Sequence, residues 1–377
     1  MREAVIVDAI RTPIGRKKGM FSQVHPVDLL VPVLKSLVER NQLDPSEIDD
    51  VICGCVTMTD EQGGNIGRMS VLAAGLPVEI PAFSLNRMCG SSQQAIHNAS
   101  QAILANDDDI VIACGVENMS RVPMASDIGN FSEQLLDKHQ VIPQGMSAEL
   151  IAEHWQLSRQ ELDEFAYESH QKAIEATDKG LFSREILPFR ENGQEIKTDE
   201  GIRRDTNLQK LSELTPSFNP SSGVITAGNS SQISDGAAGV LMMSSEKAKQ
   251  LGLKPRAKII ARSVVGIDPV MMLTGVIPAT EKVLKKAGLT LDQMDVIEIN
   301  EAFASVVKAW AKELKPDMKK VNPRGGAIAL GHPLGASGAR IMTTLLHTLE
   351  DMDGKYGLQV MCIGFGMATA TIIEKME

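Results

Sequence analysis

Phe83-Ser-Leu-Asn-Arg-Met-Cys89-Gly-Ser-Ser-Gln-Gln-Ala95 reads as a short strand that runs into a single cysteine with a helix starting directly behind it. Phe83 and Leu85 alternate as strand residues do. Ala95, Ile96, Ala99, Ala102 and Ile103 then recur at helical spacing, which places Cys89 at the turn. A sulfur there meets the free N–H groups and positive end of the helix, which favours thiolate over thiol. Gly90 is expected to keep the approach to that sulfur open. A free cysteine is just as commonly a small buried apolar residue, and position alone does not separate the two readings.

Outward from this turn the pattern alternates. Ala4-Val-Ile-Val-Asp8 is a strand, Arg11-Thr-Pro-Ile-Gly15 a turn, and Val27 to Val38 an amphipathic helix. Asp50-Val-Ile-Cys-Gly-Cys-Val56 and Ile110-Val-Ile-Ala-Cys-Gly115 read as buried strands, with Cys53, Cys55 and Cys114 as packing residues. Strands alternating with helices predict an α/β fold. From about Glu117 to Ser222 the texture turns irregular, which marks an insertion. Inside it Ser158-Arg-Gln-Glu161 is a capping box that opens a helix running to about Gly180, with His154 and His170 as solvated or core-edge histidines. Gly223 to Ser231 and Asp235 to Met243 read as strand, and Ser245 to Leu251 as helix.

A chain of 377 residues is long enough for two or three packed units. With 43% hydrophobic and 23% charged residues it has the composition of a globular protein. A net charge of −10 argues against a nucleic-acid partner, because phosphate contacts need a basic face. A small anion would need only a local pair such as Arg203 and Arg204. The five cysteines show no metal-like spacing, so no metal is expected. The absence of a leader-like segment and of a long apolar run points to a reducing, cytoplasmic setting without membrane insertion.

Beyond Lys254-Pro-Arg256 the pattern repeats. Leu43-Asp-Pro-Ser-Glu-Ile-Asp-Asp-Val-Ile52 returns as Leu291-Asp-Gln-Met-Asp-Val-Ile297, and Cys89-Gly-Ser-Ser has its counterpart in His332-Pro-Leu-Gly at nearly the same interval. Two such anchors suggest a duplicated α/β unit, with residues 89 and 332 at matching strand-to-helix turns. The glycine-rich stretch Gly325 to Gly338 is neither a Walker loop nor GxGxxG, since Pro333 takes the place of a glycine. A cysteine and a histidine at facing turns can act as nucleophile and base for acyl transfer. Val360-Met-Cys-Ile-Gly-Phe-Gly366 can add a second thiol, Cys362, and free backbone N–H groups, while Asn300-Glu-Ala-Phe303 offers an amide that could orient a water.

Asn86-Arg-Met-Cys89-Gly-Ser, Thr226-Ala-Gly-Asn-Ser-Ser-Gln-Ile-Ser-Asp-Gly236, Asn300-Glu-Ala-Phe303, Gly331-His-Pro-Leu-Gly-Ala-Ser-Gly338 and Cys362-Ile-Gly-Phe-Gly366 together resemble the thiolase family in order and spacing across essentially the whole chain. The resemblance implies two pseudo-symmetric βαβαβαββ halves in a five-layered αβαβα arrangement. The N-terminal half would span 1–253 and carry an inserted CoA-covering loop domain at about 118–222. The C-terminal half would span 254–377. It further implies a homodimer or homotetramer, with a β-oxidation multienzyme subunit as a further partner, acyl-CoA and CoA as substrates and no permanently bound cofactor.

Carried over by motif, Cys89 would attack a 3-oxoacyl-CoA with His332 as base, and Cys362 would handle the second proton. One oxyanion hole would be His332 with a water on Asn300, and the other the N–H groups of Cys89 and Gly364. The resemblance puts Arg203 near the nucleotide phosphates, Phe218, Ala227 and Ser231 along the pantetheine, and Met272, Ala302 and Phe303 near the acyl end. Departures from the family pattern concern substrate choice. Phe365 replaces a glycine, Leu273 and Val276 replace a usual Gly and Pro, and Arg324 replaces a common asparagine. The Met124 to Met146 loop lacks the histidine that biosynthetic members commonly carry before their Met-Gly, which leans toward degradative thiolysis. The alternatives are biosynthetic condensation of two acetyl-CoA, a cysteine hydrolase, a carrier-protein condensing enzyme and a non-catalytic acyl-CoA binding protein.

Overall fold

The computed structural model describes residues 2–191 and 193–376. Through residue 244 the chain forms strands β1 (Ala4–Arg11), β2 (Asp50–Gly54), β3 (Ala82–Leu85), β4 (Ile110–Asn118) and β5 (Ser234–Ser244). Helices α1 (Pro26–Arg40), α2 (Ile66–Ala73) and α3 (Ser91–Ala105) connect the first four, and α4 (Gln144–His154) and α5 (Arg159–Asp178) lie in the long connection from β4 to β5. The remainder supplies β6 (Ala257–Gly266), α6 (Val276–Ala287), β7 (Val296–Ile299), α7 (Ala304–Leu314), α8 (Ala327–Leu330), α9 (Ser337–Asp351), β8 (Tyr356–Ile363) and β9 (Met367–Lys375).

The duplication is explicit in the strand pairing. β2 pairs parallel with β4, which pairs antiparallel with β5, which pairs antiparallel with β1. β7 repeats this with β8, β9 and β6. The counterpart of β3 is reduced to one parallel bridge between Val321 and Ile297. The order is β7-β8-β9-β6-β1-β5-β4-β2-β3, and among the described residues the two arms pair only at Val5 with Lys258 and Ile6 with Ala257. With so short a hinge the sheet folds back on itself. α3 and α9 fill the space between the arms, packing on β2 and β4 and on β1, β5, β7 and β8 respectively. Their shared core joins Ala95, Ile96, Ala99 and Ile103 to Ala339, Met342, Leu345 and Leu349. α1 and α2 cover the outer face of one arm and α6 and α7 that of the other. Helix, sheet, paired helices, sheet and helix make the five expected layers.

The two central helices touch backbone to backbone. A Cβ placed on Gly338 would lie 2.1 Å from the Gln93 nitrogen, and one on Gly54 would lie 2.3 Å from the Ser92 nitrogen. Small residues here allow an approach that any side chain would prevent.

The connection from β4 to β5 is richer in helix than its sequence suggested. The capping box of Ser158 and Glu161 is present, and Gly180 ends the segment at φ +67. α4 gave no periodic signal because it is buried on most sides, through Gly145, Ser147, Ala148, Glu149, Ile151 and Ala152. The buried Arg11 ties this connection to β1, bonding Glu185 at 2.6 Å and Asp199 at 2.7 and 2.9 Å. Removing one partner of such a pair leaves an uncompensated buried charge.

The strand expected over Gly223–Ser231 is instead a partly buried loop. Thr226 N–H donates to Asn229 Oδ1 at 2.9 Å and Ser230 Oγ donates to the Thr226 carbonyl at 2.7 Å. Asn and Ser side chains here supply the partners that a ladder would have given. No helix among the described residues is long and apolar enough to cross a membrane.

The helix contact yields a first prediction. Gly338→Ala should destabilise the fold by about 1–3 kcal/mol through overpacking, read as a lowered urea midpoint. An unchanged midpoint would show that α3 and α9 can separate freely.

Candidate functional site

Cys89 sits where the strand β3 gives way to α3, after Met88 at φ +48. It is 4% exposed and packs with Val56, Met119, Leu334 and Met361, so residues from both arms close around it. The Gly364 N–H and the Gln144 side chain lie near it and favour the charged form. Burial nevertheless pushes the thiol up to about 11, against the downward pull of these donors. The expectation of a thiolate at rest is therefore corrected: the helix end and nearby N–H groups are outweighed by loss of water, and the sulfur needs a base. The role expected of Gly90 is corrected too. A Cβ there would lie 2.4 Å from Ile363 Cδ1, so the glycine lets the Cys362–Gly364 segment settle against the turn.

Cys362 lies near the end of β8, fully buried. Its pKa is also raised, by desolvation first and then by the neighbouring Cys89, while the nearby Asn300 side chain pulls the other way. Burial thus keeps both sulfurs as neutral thiols.

His332 does not follow a strand, as the matched-turn expectation had it, but the short helix α8 and Gly331 at φ +107. Its counterpart strand has shrunk to the Val321 bridge, and the chain gains a helical turn before the imidazole. His332 Nδ1 lies 2.5 Å from Ser337 Oγ, and Ser337 Oγ donates to the Pro333 carbonyl at 2.8 Å. A hydroxyl has one proton, so Ser337 must accept from Nδ1–H. The lone pair is then on Nε2, which faces Asn300 Nδ2 at 3.3 Å. Burial, reinforced by the Arg340 guanidinium, lowers the imidazole to about 3. It is a neutral base with its tautomer set from behind.

Asn300 is anchored by its own N–H on the Val360 carbonyl at 2.9 Å, which ties it to β8 beside Cys362. Its Oδ1 is buried with no partner among the described residues, an acceptor available to a water or a substrate group. Next to it, the Glu301 carboxylate accepts from Ser169 Oγ at 2.7 Å, Asn322 Nδ2 at 2.8 Å and Ile328 N–H at 3.2 Å, bracing the glycine-rich stretch that leads to His332.

Cys89, His332, Asn300 and the Cys362–Gly364 segment thus converge from four separate stretches of the chain. Two participants escaped the sequence reading. Ser337 lay inside the quoted Gly331 to Gly338 motif but had no visible partner until the turn folded. Gln144 stands in the irregular stretch with no motif of its own.

Most residues expected near coenzyme A form one connected wall. Phe218 meets Phe303 edge-on with centroids 6.0 Å apart, and a Cβ on Gly145 would lie 2.3 Å from the Phe218 ring. Gly145 follows Gln144, so this wall leads to the Cys89 sulfur. Ser231 N–H donates to the Ala302 carbonyl at 2.8 Å, and Gln232 Nε2 donates to the Gly201 carbonyl at 2.8 Å, close to Arg203. Arg203 and Ala227 are exposed, whereas Met272, Ala302 and Phe303 are buried in the core of the second arm. Arg204 is engaged by Asp178, at 2.7 and 3.2 Å. Among the described residues, no three His, Cys, Asp or Glu side chains gather as a metal would need.

Two buried thiols and a neutral buried imidazole, beside a wall with an aromatic face, suit thioester exchange. Comparison with known proteins agrees. Residues 4–246 match the thiolase N-terminal domain and residues 253–375 the thiolase C-terminal domain. The chain is 47% identical to the steroid 3-ketoacyl-CoA thiolase FadA6 of Mycobacterium tuberculosis, covering 100% of this chain and 95% of the relative. It is also 47% identical to a 3-ketoacyl-CoA thiolase of Idiomarina loihiensis, with 100% of both covered. Among solved structures, the acetyl-CoA acetyltransferase of Bacillus anthracis superposes with a TM-score of 0.92 at 37% identity, covering 100% of this chain and 99% of that one. With both domains matched, and relatives aligned over its full length, the chain belongs to the thiolase family.

Proposed function

We propose that this protein is a degradative 3-ketoacyl-CoA thiolase, cleaving a 3-oxoacyl-CoA with CoA to acetyl-CoA and a shortened acyl-CoA. The observation that carries the reading is the enclosed grouping of the Cys89 and Cys362 thiols with the Nε2 lone pair of His332. In this reading Cys89 Sγ passes its proton to Nε2 and attacks the 3-oxo carbon. The C2–C3 bond breaks, its electron pair goes to the departing acetyl-CoA, and Cys362 protonates that carbanion. The acyl group remains as a thioester on Cys89. An incoming CoA thiol then gives its proton to the Cys362 thiolate and attacks the acyl carbon, and Cys89 leaves and recovers its proton from His332.

The N–H groups of Gly364 and Cys89 would hold the acyl oxygen, and His332 with an Asn300-bound water the other. Arg203, Phe218, Ala227 and Ser231 would receive CoA, with Met272, Ala302 and Phe303 behind the acyl end. The loop domain at about 118–222 would cover it, within a division of the chain at 253/254. We read the protein as a cytoplasmic homo-oligomer. In support, β3 is the free edge of the sheet, and Phe83 on it, Met69 and Leu72 on α2, and Val78 are exposed beside that edge. The same groups would run the reverse condensation, a second reading favoured by the fold shared with the acetyl-CoA acetyltransferase.

Cys89→Ser should abolish CoA-dependent cleavage of acetoacetyl-CoA and of a medium-chain 3-oxoacyl-CoA, and mass spectrometry of the wild type should find the acyl adduct on Cys89. Turnover surviving in the variant would overturn the reading. Ser337→Ala should lower kcat by at least about tenfold with the fold intact, because Nδ1 loses the acceptor that sets the tautomer. The imidazole is held far below the ordinary 6.5. The base is therefore neutral through the mildly acidic range and is silenced only as pH falls toward 3, so kcat/KM should show no histidine inflection near 6.5. Such an inflection would show that His332 titrates as an exposed residue.

A further inference from the structure

We propose that Glu117 is the positioning residue that sets the separation of the Cys89 thiol from the His332 imidazole. The proposal rests on the thiolase reading above, in which these two groups react. Glu117 lies at the end of β4, fully buried, and its carboxylate is shared between the two arms. Oε2 accepts from Gly335 N–H at 2.8 Å and from Val56 N–H at 3.0 Å. Gly335 belongs to the turn that carries His332, and Val56 to the end of β2. The path continues to the nucleophile. Asn86 Nδ2 donates to the Val56 carbonyl at 2.9 Å, and Asn86 Oδ1 accepts from Met88 N–H at 2.7 Å, one residue before Cys89.

An unbroken run of hydrogen bonds through one carboxylate therefore connects the imidazole turn with the cysteine turn. The contact is tight. A Cβ on Gly335 would lie 2.5 Å from the Val116 carbonyl, 2.7 Å from Cys55 Cα and 2.8 Å from Glu117 Oε2. Leu334 packs with Val56, Met88 and Cys89 in the same apolar group, so the turns have no slack. The other oxygen does different work. Oε1 accepts from Thr57 N–H at 3.1 Å and Gln62 Nε2 at 2.7 Å, both within the first arm. One oxygen bridges the reacting turns and the other holds the carboxylate in place.

This division gives a test in which loss of stability and loss of alignment separate. Glu117→Asp pulls the carboxylate back from Gly335, whereas Gln62→Leu removes a donor from Oε1 and leaves the bridge. Both should lower the thermal midpoint. Glu117→Asp should also lower kcat for acetoacetyl-CoA thiolysis at least tenfold with KM within twofold, and slow iodoacetamide alkylation of Cys89 in parallel. Gln62→Leu should leave both rates within twofold of wild type. If Glu117→Asp does not fold, Glu117→Gln carries the same comparison, since one of its two polar ends must face N–H donors with an NH2 group. Equal loss of rate in the Glu117 and Gln62 variants, or wild-type rates in the Glu117 variant, would overturn the proposal. The alkylation rate needs no substrate, so a wild type without thiolase turnover would count against the functional reading and not against the bridge.

Discussion

The contact between α3 and α9 is the constraint on which the rest depends. At Gly338 and Gln93 the backbones approach so closely that a methyl group would collide. Each helix begins just after one of the two turns, α3 at Ser91 behind Cys89 and α9 at Ser337 behind His332. Forcing the helix starts together forces the turns together. The arms of the sheet share only two residue pairs, so it is this helix pair, and not the sheet hinge, that fixes their relation.

Burial that follows from this arrangement changes the chemistry of every group it encloses. The Cys89 thiol is held up at about 11 and the His332 imidazole down at about 3, so both are neutral at rest. Desolvation disfavours either charged form, and the charges appear only as a proton moves between them. The nearby donors, Gly364 N–H and the Gln144 side chain, are then positioned for negative charge that is not yet present. A site poised in this way spends no rearrangement at the moment of reaction. Protection of the thiol from adventitious reaction is a direct consequence of the same burial.

Polar bracing supplies what apolar packing cannot. Glu117, Glu301 and the Arg11, Glu185 and Asp199 group are buried polar clusters in which each carboxylate meets more than one donor. Buried charge is a poor source of net stability but a strict source of geometry, because few arrangements satisfy it. The three groups fall where segments distant in sequence must hold register. They join the arms, the run-up to His332, and the long connection that covers the site.

The alternation of strand and helix, the capping box at Ser158 and the two echoing segments were local patterns, and they were enough to establish an α/β duplication from sequence alone. The turn at Cys89 was legible for the same reason, since a period of two gives way to a period of 3.6 on either side of it. What sequence periodicity does not carry is solvation and partnership between distant segments. The loop over Gly223–Ser231 looked like a strand because Val224 and Ile225 open it with a β-branched apolar pair, yet Asn229 and Ser230 satisfy the backbone in place of a neighbour. α4 went unseen because a helix covered on most sides has no apolar stripe. The turn at His332 was matched in position but not in shape, because its strand had shortened and α8 had taken up the chain. The protonation state of Cys89, the tautomer of His332 and the bridging role of Glu117 were decided only when the two arms closed, since each depends on which groups from elsewhere in the chain displaced water.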